Sequence, residues 1–82
     1  MNKIIKCLKE NNINYTKSLS GNLLIIKIGE YTLEVFKEGK NFIATKYKGL
    51  EQCSPSIKKD INFILRLIKH EIRRSKGMYS RV

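Results

Sequence analysis

The chain has 82 residues, 41% of them hydrophobic, which predicts one domain (1–82) with a packed core and excludes a disordered tail or a multidomain enzyme. Seventeen Lys and Arg stand against seven Asp and Glu, a net charge of +10 at pH 7. Self-repulsion on that scale opposes compactness, so the surplus points to an anionic partner: nucleic acid, an acidic protein or a membrane surface. The alternatives are solubility alone, or the lysine-rich habit of an AT-rich genome.

Residues 2–11 place Ile4, Ile5 and Leu8 at helical spacing, with Lys3, Lys6 and Lys9 off that face. Asn11-Asn12 is a fitting stop, because Asn tolerates the left-handed backbone at a helix end. From residue 13 the period changes to two, punctuated by Gly21-Asn22, Gly29-Glu30 and Gly39-Lys40. Glycine first suits a two-residue type II′ hairpin. The expected sheet is therefore a four-stranded antiparallel meander over about 13–20, 23–28, 31–38 and 41–48. Its register sets Ile28 against Tyr31, Leu24 against Val35 and Val35 against Ala44. The first turn sets Leu19 against Leu24 and Tyr15 against Ile28. All three turns gather the apolar residues on one side. The other side keeps Ile25, Phe36, Ile43 and Tyr47 among polar residues, a candidate protein interface or homodimer surface.

Gly49–Cys53 reads as a connector. Ser54-Pro55 reads as an N-cap followed by proline at the first helical position, which predicts a helix over about 55–75. Its apolar stripe is Ile57, Ile61, Ile64, Leu65, Ile68 and Ile72. Gly77 is the expected stop, with 76–82 as a flexible tail. The expected fold is thus α+β, in the order α-β-β-β-β-α, with both helices on one face of the sheet.

The cations of the long helix are the strongest candidate site. Residues 55–82 hold eight Lys and Arg and two acids. Lys58, Lys59, Arg66, Lys69 and Arg73 project to one side of the predicted helix, and Arg74 and Lys76 extend it. Arg offers bidentate bonds to phosphate and Lys a mobile point charge. Complementing the helix dipole accounts for Arg73, Arg74 and Lys76 but not for Lys58 and Lys59, which would sit in a first turn that disfavours cations. Base stacking on the outer sheet face is a weaker use of its aromatics.

No catalytic set emerges. His70 lies among cations, with no nucleophile or carboxylate placed to work with it. Cys7, Cys53 and His70 fall short of the four ligands of a structural zinc site, so neither metal nor cofactor is expected. The two cysteines read as free thiols in a reducing compartment, although spacing alone leaves a disulfide open. Charge interleaves Met1–Lys6, so no secretory h-region is visible, and the longest apolar run, Leu23-Leu24-Ile25-Ile26, cannot span a bilayer. A cytoplasmic protein that does not act at membranes is expected.

Lys58-Lys59 resemble the lysines that open the last helix of double-stranded-RNA-binding domains. The chain departs from that family in an added strand and in bulky Ile61, Ile64 and Leu65. In size, charge and element order it is similar to HicA-type mRNA interferase toxins. Those carry a histidine in the early strands, where this chain has none. The expectation is a non-enzymatic nucleic-acid-binding protein using Lys58, Lys59, Arg66, Lys69, Arg73, Arg74 and Lys76. The alternative is a protein-binding inhibitor or adaptor from a mobile element such as a phage.

Overall fold

A computed structural model describes residues 1–76. The elements are α1 (Asn2–Glu10), β1 (Asn14–Lys17), β2 (Leu23–Ile28), β3 (Tyr31–Glu38), β4 (Asn41–Lys48), β5 (Glu51–Gln52), β6 (Ile57–Lys59) and α2 (Ile61–Ser75). The fold is α+β with a helix at each end, as the periodicities predict. The sheet, however, has six strands rather than four. β1 to β4 run in sequence order, and both β5 and β6 pair with the far edge of β4.

α1 ends as a Schellman motif. Asn12 takes φ 56°, Ile13 N–H donates to the Leu8 carbonyl at 2.9 Å and Asn12 N–H to that of Lys9 at 3.2 Å. The Asn11 side chain adds a bond to the Cys7 carbonyl at 2.8 Å. The Cys7, Leu8 and Lys9 carbonyls are thereby satisfied, and the chain reverses directly into β1.

The β2–β3–β4 register is the predicted one: Ile28 faces Tyr31, Leu24 faces Val35, and Val35 faces Ala44. Gly29 and Gly39 have φ +60° and +61°, while Glu30 and Lys40 stay at negative φ, the pattern of a type II′ turn. The first hairpin differs. Tyr15 faces Ile26 and Lys17 faces Leu24, two residues from the expected register. Gly21 does not open a two-residue turn. It donates to the Ser18 carbonyl and closes a longer loop, in which Ser18 Oγ also accepts from Leu23 N–H. Leu19 is left fully exposed at the tip, not set against Leu24. A slip of two residues keeps every side chain on its predicted face.

The 49–60 segment departs most from expectation. Gly49 (φ +64°) starts a third tight hairpin, after those at Gly29 and Gly39, which returns Glu51 and Gln52 against Lys48 and Tyr47. The chain leaves the edge around Pro55, which has no N–H to donate to a ladder, and rejoins it with Ala44 facing Ile57 and Phe42 facing Lys59. Residues 57–59 are strand, and α2 starts at Ile61. Its N-cap is Asp60, whose carboxylate accepts from Phe63 N–H at 3.0 Å, and not Ser54. Gly77 and the tail beyond it lie outside the described residues.

Both helices cover one face of the sheet. Ile4 and Leu8 of α1 and Ile64, Ile68 and Ile72 of α2 meet Leu24, Ile26, Ile28, Leu33, Val35, Phe42 and Ala44. Each side chain taken fully out of water contributes roughly 1.5–3 kcal/mol. The small cavity of about 70 Å³ beside β6 is lined by Leu33, Ala44, Pro55 and Leu67, so the connector closes the open edge of this core. Cys7 is buried under α1, Cys53 is exposed, and the two thiols are free. No helix among the described residues is long and apolar enough to cross a membrane.

Candidate functional site

The seven predicted phosphate contacts divide into three groups. Arg66, Lys69 and Arg73 are exposed on α2, and at 100° per residue they fall within one narrow arc opposite the buried Ile64 and Ile68. Lys76, the C-cap, extends this row past the last turn. None of the four makes an ion pair among the described residues. Phe63 stands beside the row, with the Arg66 guanidinium 5.9 Å from its ring centroid.

Lys58 and Lys59 are not on that helix. As neighbours in a strand they point to opposite faces of the sheet. Lys59 opposes Phe42 on the helix side and lies 5.3 Å from the Phe63 ring, so it joins Arg66 across that ring. Lys58 opposes Ile43 on the outer face, and its ammonium is bound by Glu38 at 2.6 Å. A helix beginning at residue 55 would put both lysines in a first turn that disfavours cations, and a strand over Ile57–Lys59 removes that conflict.

Arg74 belongs to a third arrangement. Glu71, buried on α2, receives Lys46 of β4 at 3.1 Å and Arg74 at 3.7 Å. The same two cations flank the Tyr31 ring, at 4.2 and 5.7 Å from its centroid. Arg74 is therefore spent on a buried carboxylate and clamps α2 to β3 and β4. Nothing in the helical periodicity identifies Lys46 as its companion, because the two meet only through the packing of sheet and helix.

α1 supplies cations that the reading of α2 alone overlooked. Lys3, Lys6 and Lys9 are exposed on the same helical layer. Asn11, at the end of α1, shares a groove of about 350 Å³ with Lys69, Arg73 and Lys76. At the opposite end, an open cleft is bordered by Lys3, Lys37 and Lys40 over Phe42 and Ile61. Burial, and then the nearby Lys37, push the Met1 α-amino group below its ordinary pKa there. His70 is exposed near Arg66 and Arg73 and is already engaged in an interaction.

The outer sheet face contrasts with the helical layer. Alternation puts Lys27, Glu34, Glu38 and Lys58 on it, two cations against two anions. The charge surplus thus falls on the helical layer, the turns and the edges. The four predicted interface residues all lie on this outer face. Phe36 is directly between Leu23 and Ile43, and Ile25 is its diagonal neighbour. Tyr47 stands apart, facing Thr32 and Gln52.

No family model matches the chain, and neither a curated protein nor a solved structure is found similar to it.

Proposed function

We propose that the protein binds nucleic acid, without catalysis, through the solvent face of its helical layer. Arg66, Lys69, Arg73 and Lys76 neutralise phosphates, with Lys59 at one end of the row and the lysines of α1 beside it. The observation that carries this reading is the row itself: four cations on one face of α2, with no acid paired to them among the described residues. The helical rise separates Arg66 from Arg73 by about 10 Å, enough to meet successive phosphates of one strand. Phosphate contacts fix position and carry no sequence information, so the proposed binding is of low specificity. Lys58 and Arg74 fall outside the proposed contact set, because Glu38 and Glu71 hold them.

The test is binding of fluorescent duplex DNA, duplex RNA and single strands across a salt series, with wild type and the triple variant Arg66→Gln, Lys69→Gln, Arg73→Gln. Each phosphate contact contributes about 0.9 to the slope of log K against log salt on a duplex, so the triple variant loses roughly 2–3 from it. An unchanged slope overturns the assignment. Failure of the wild type to bind any of these above a charge-matched control shifts the weight to an adaptor that presents the same face to an acidic protein.

A further inference from the structure

We propose that two copies of this chain stack through the outer faces of their sheets, and that the pair bridges two nucleic-acid segments. The stacking rests on the geometry below. The bridging rests in addition on the proposed binding by the helical layer.

A chain of net charge +10 repels its copies over most of its surface. Among the described residues, the outer sheet face carries two cations, Lys27 and Lys58, against two anions, Glu34 and Glu38. Lys58 is neutralised there by Glu38, whereas Lys27 and Glu34 make no ion pair among the described residues. They are diagonal neighbours on adjacent strands, since Ile25 faces Glu34 and Lys27 faces Thr32. A two-fold axis through this face sets Lys27 of one copy against Glu34 of the other, twice over, so the face complements itself.

The same face carries the exposed apolar side chains of the sheet. Phe36 is 43% and Ile25 is 39% exposed, and Leu23 and Ile43 flank Phe36 half-buried. Polar alternation normally keeps such residues off the wet side of an antiparallel sheet. The connector does not cover them, because Pro55 turns toward Leu33 and Leu67 on the helix side. Five strand positions about 4.8 Å apart, each some six residues long, give roughly 500 Å² per copy and about 1,000 Å² in all. That is the lower limit for a specific interface, so the dimer is a reversible one. Stacked this way, the two helical layers face away from each other. One segment cannot reach both, and each dimer offers two separate phosphate-binding faces.

Light scattering on the full chain at rising concentration tests the stacking. The wild type is expected to pass from monomer to dimer. Phe36→Lys raises the dissociation constant by about 30-fold, the effect of losing a central aromatic contact. Glu34→Lys also weakens the dimer, and the exchange Lys27→Glu with Glu34→Lys restores it, which a folding defect would not do. Bridging is read separately, as capture of a labelled duplex by a second, bead-bound duplex. The wild type captures it. Phe36→Lys binds a single duplex with unchanged affinity and captures none. A wild type that stays monomeric with and without duplex overturns the proposal, as does dimerisation gained only on deleting residues 77–82, which would make that segment the occupant of the face. A wild type that dimerises without binding duplex leaves the stacking standing and removes the nucleic-acid reading.

Discussion

Lys46 on β4 and Glu71 on α2 meet at 3.1 Å, and Glu71 is only 5% exposed. This ion pair ties the C-terminal half of the last helix to β4, with Arg74 and the Tyr31 ring of β3 completing the cluster. It holds the row from Arg66 to Lys76 in a fixed direction. Removing Lys46 leaves the buried Glu71 carboxylate to the half-exposed Arg74 at 3.7 Å. Lys46→Met is expected to cost about 3 kcal/mol in urea unfolding, and the paired change Lys46→Met with Glu71→Met markedly less. Equal losses for the single and double variants would show that the pair adds only packing.

The start of α2 gives a second prediction. Asp60 caps the helix through Phe63 N–H, so Asp60→Ala is expected to lower stability by about 1 kcal/mol. Ser54→Ala, in the connector, leaves stability within about 0.5 kcal/mol of wild type. Thermal unfolding of the two variants distinguishes this start from one at Ser54.

These two residues also show what the sequence made legible. Ser54-Pro55 and Asp60 are both sound helix-start signals. Ile57 satisfies the helical stripe of Ile61, Ile64 and Ile68, and equally a strand position facing Ala44. Pairing with the open edge of β4 decides between them, and that edge is not visible from the local pattern. Glu51-Gln52 failed to announce a strand for a simpler reason: two exposed polar residues have no periodicity to read. Between Leu23 and Lys48 the alternation and the tight glycine turns agree, and there the register is legible residue by residue. Of the candidate site, the shared placement of Arg66, Lys69 and Arg73 is legible because one helix carries all three. The separation of Lys58 from Lys59, and the diversion of Arg74 to Glu71, depend on tertiary contacts.

The tight turns can be tested directly. Gly39 at φ +61° has open space around a would-be Cβ, so Gly39→Ala meets backbone strain alone and is expected to cost about 1–2 kcal/mol. At Gly29 the added Cβ would also touch Ser75 Cβ at 3.4 Å, where the end of α2 abuts the turn. Gly29→Ala is therefore expected to cost at least as much, and chemical denaturation ranks the two.

The division of the lysines yields a prediction of function. Lys58→Gln is expected to leave the affinity for duplex almost unchanged, because Lys58 is on the outer face and held by Glu38. Lys69→Gln removes a phosphate contact and reduces the salt slope by about 0.9. A salt titration with both variants checks this. Equal losses would mean that binding reflects overall charge and not one face.

The most direct measurement is a chemical-shift titration of isotope-labelled protein with a short duplex. The account predicts that the perturbed amides and side chains cluster on α2 at Arg66, Lys69, Arg73 and Lys76 and on the exposed side of α1, while Ile25, Glu34 and Thr45 on the outer sheet stay in place at concentrations below dimerisation. Perturbations centred on the outer sheet face, with the α2 row unmoved, would contradict it.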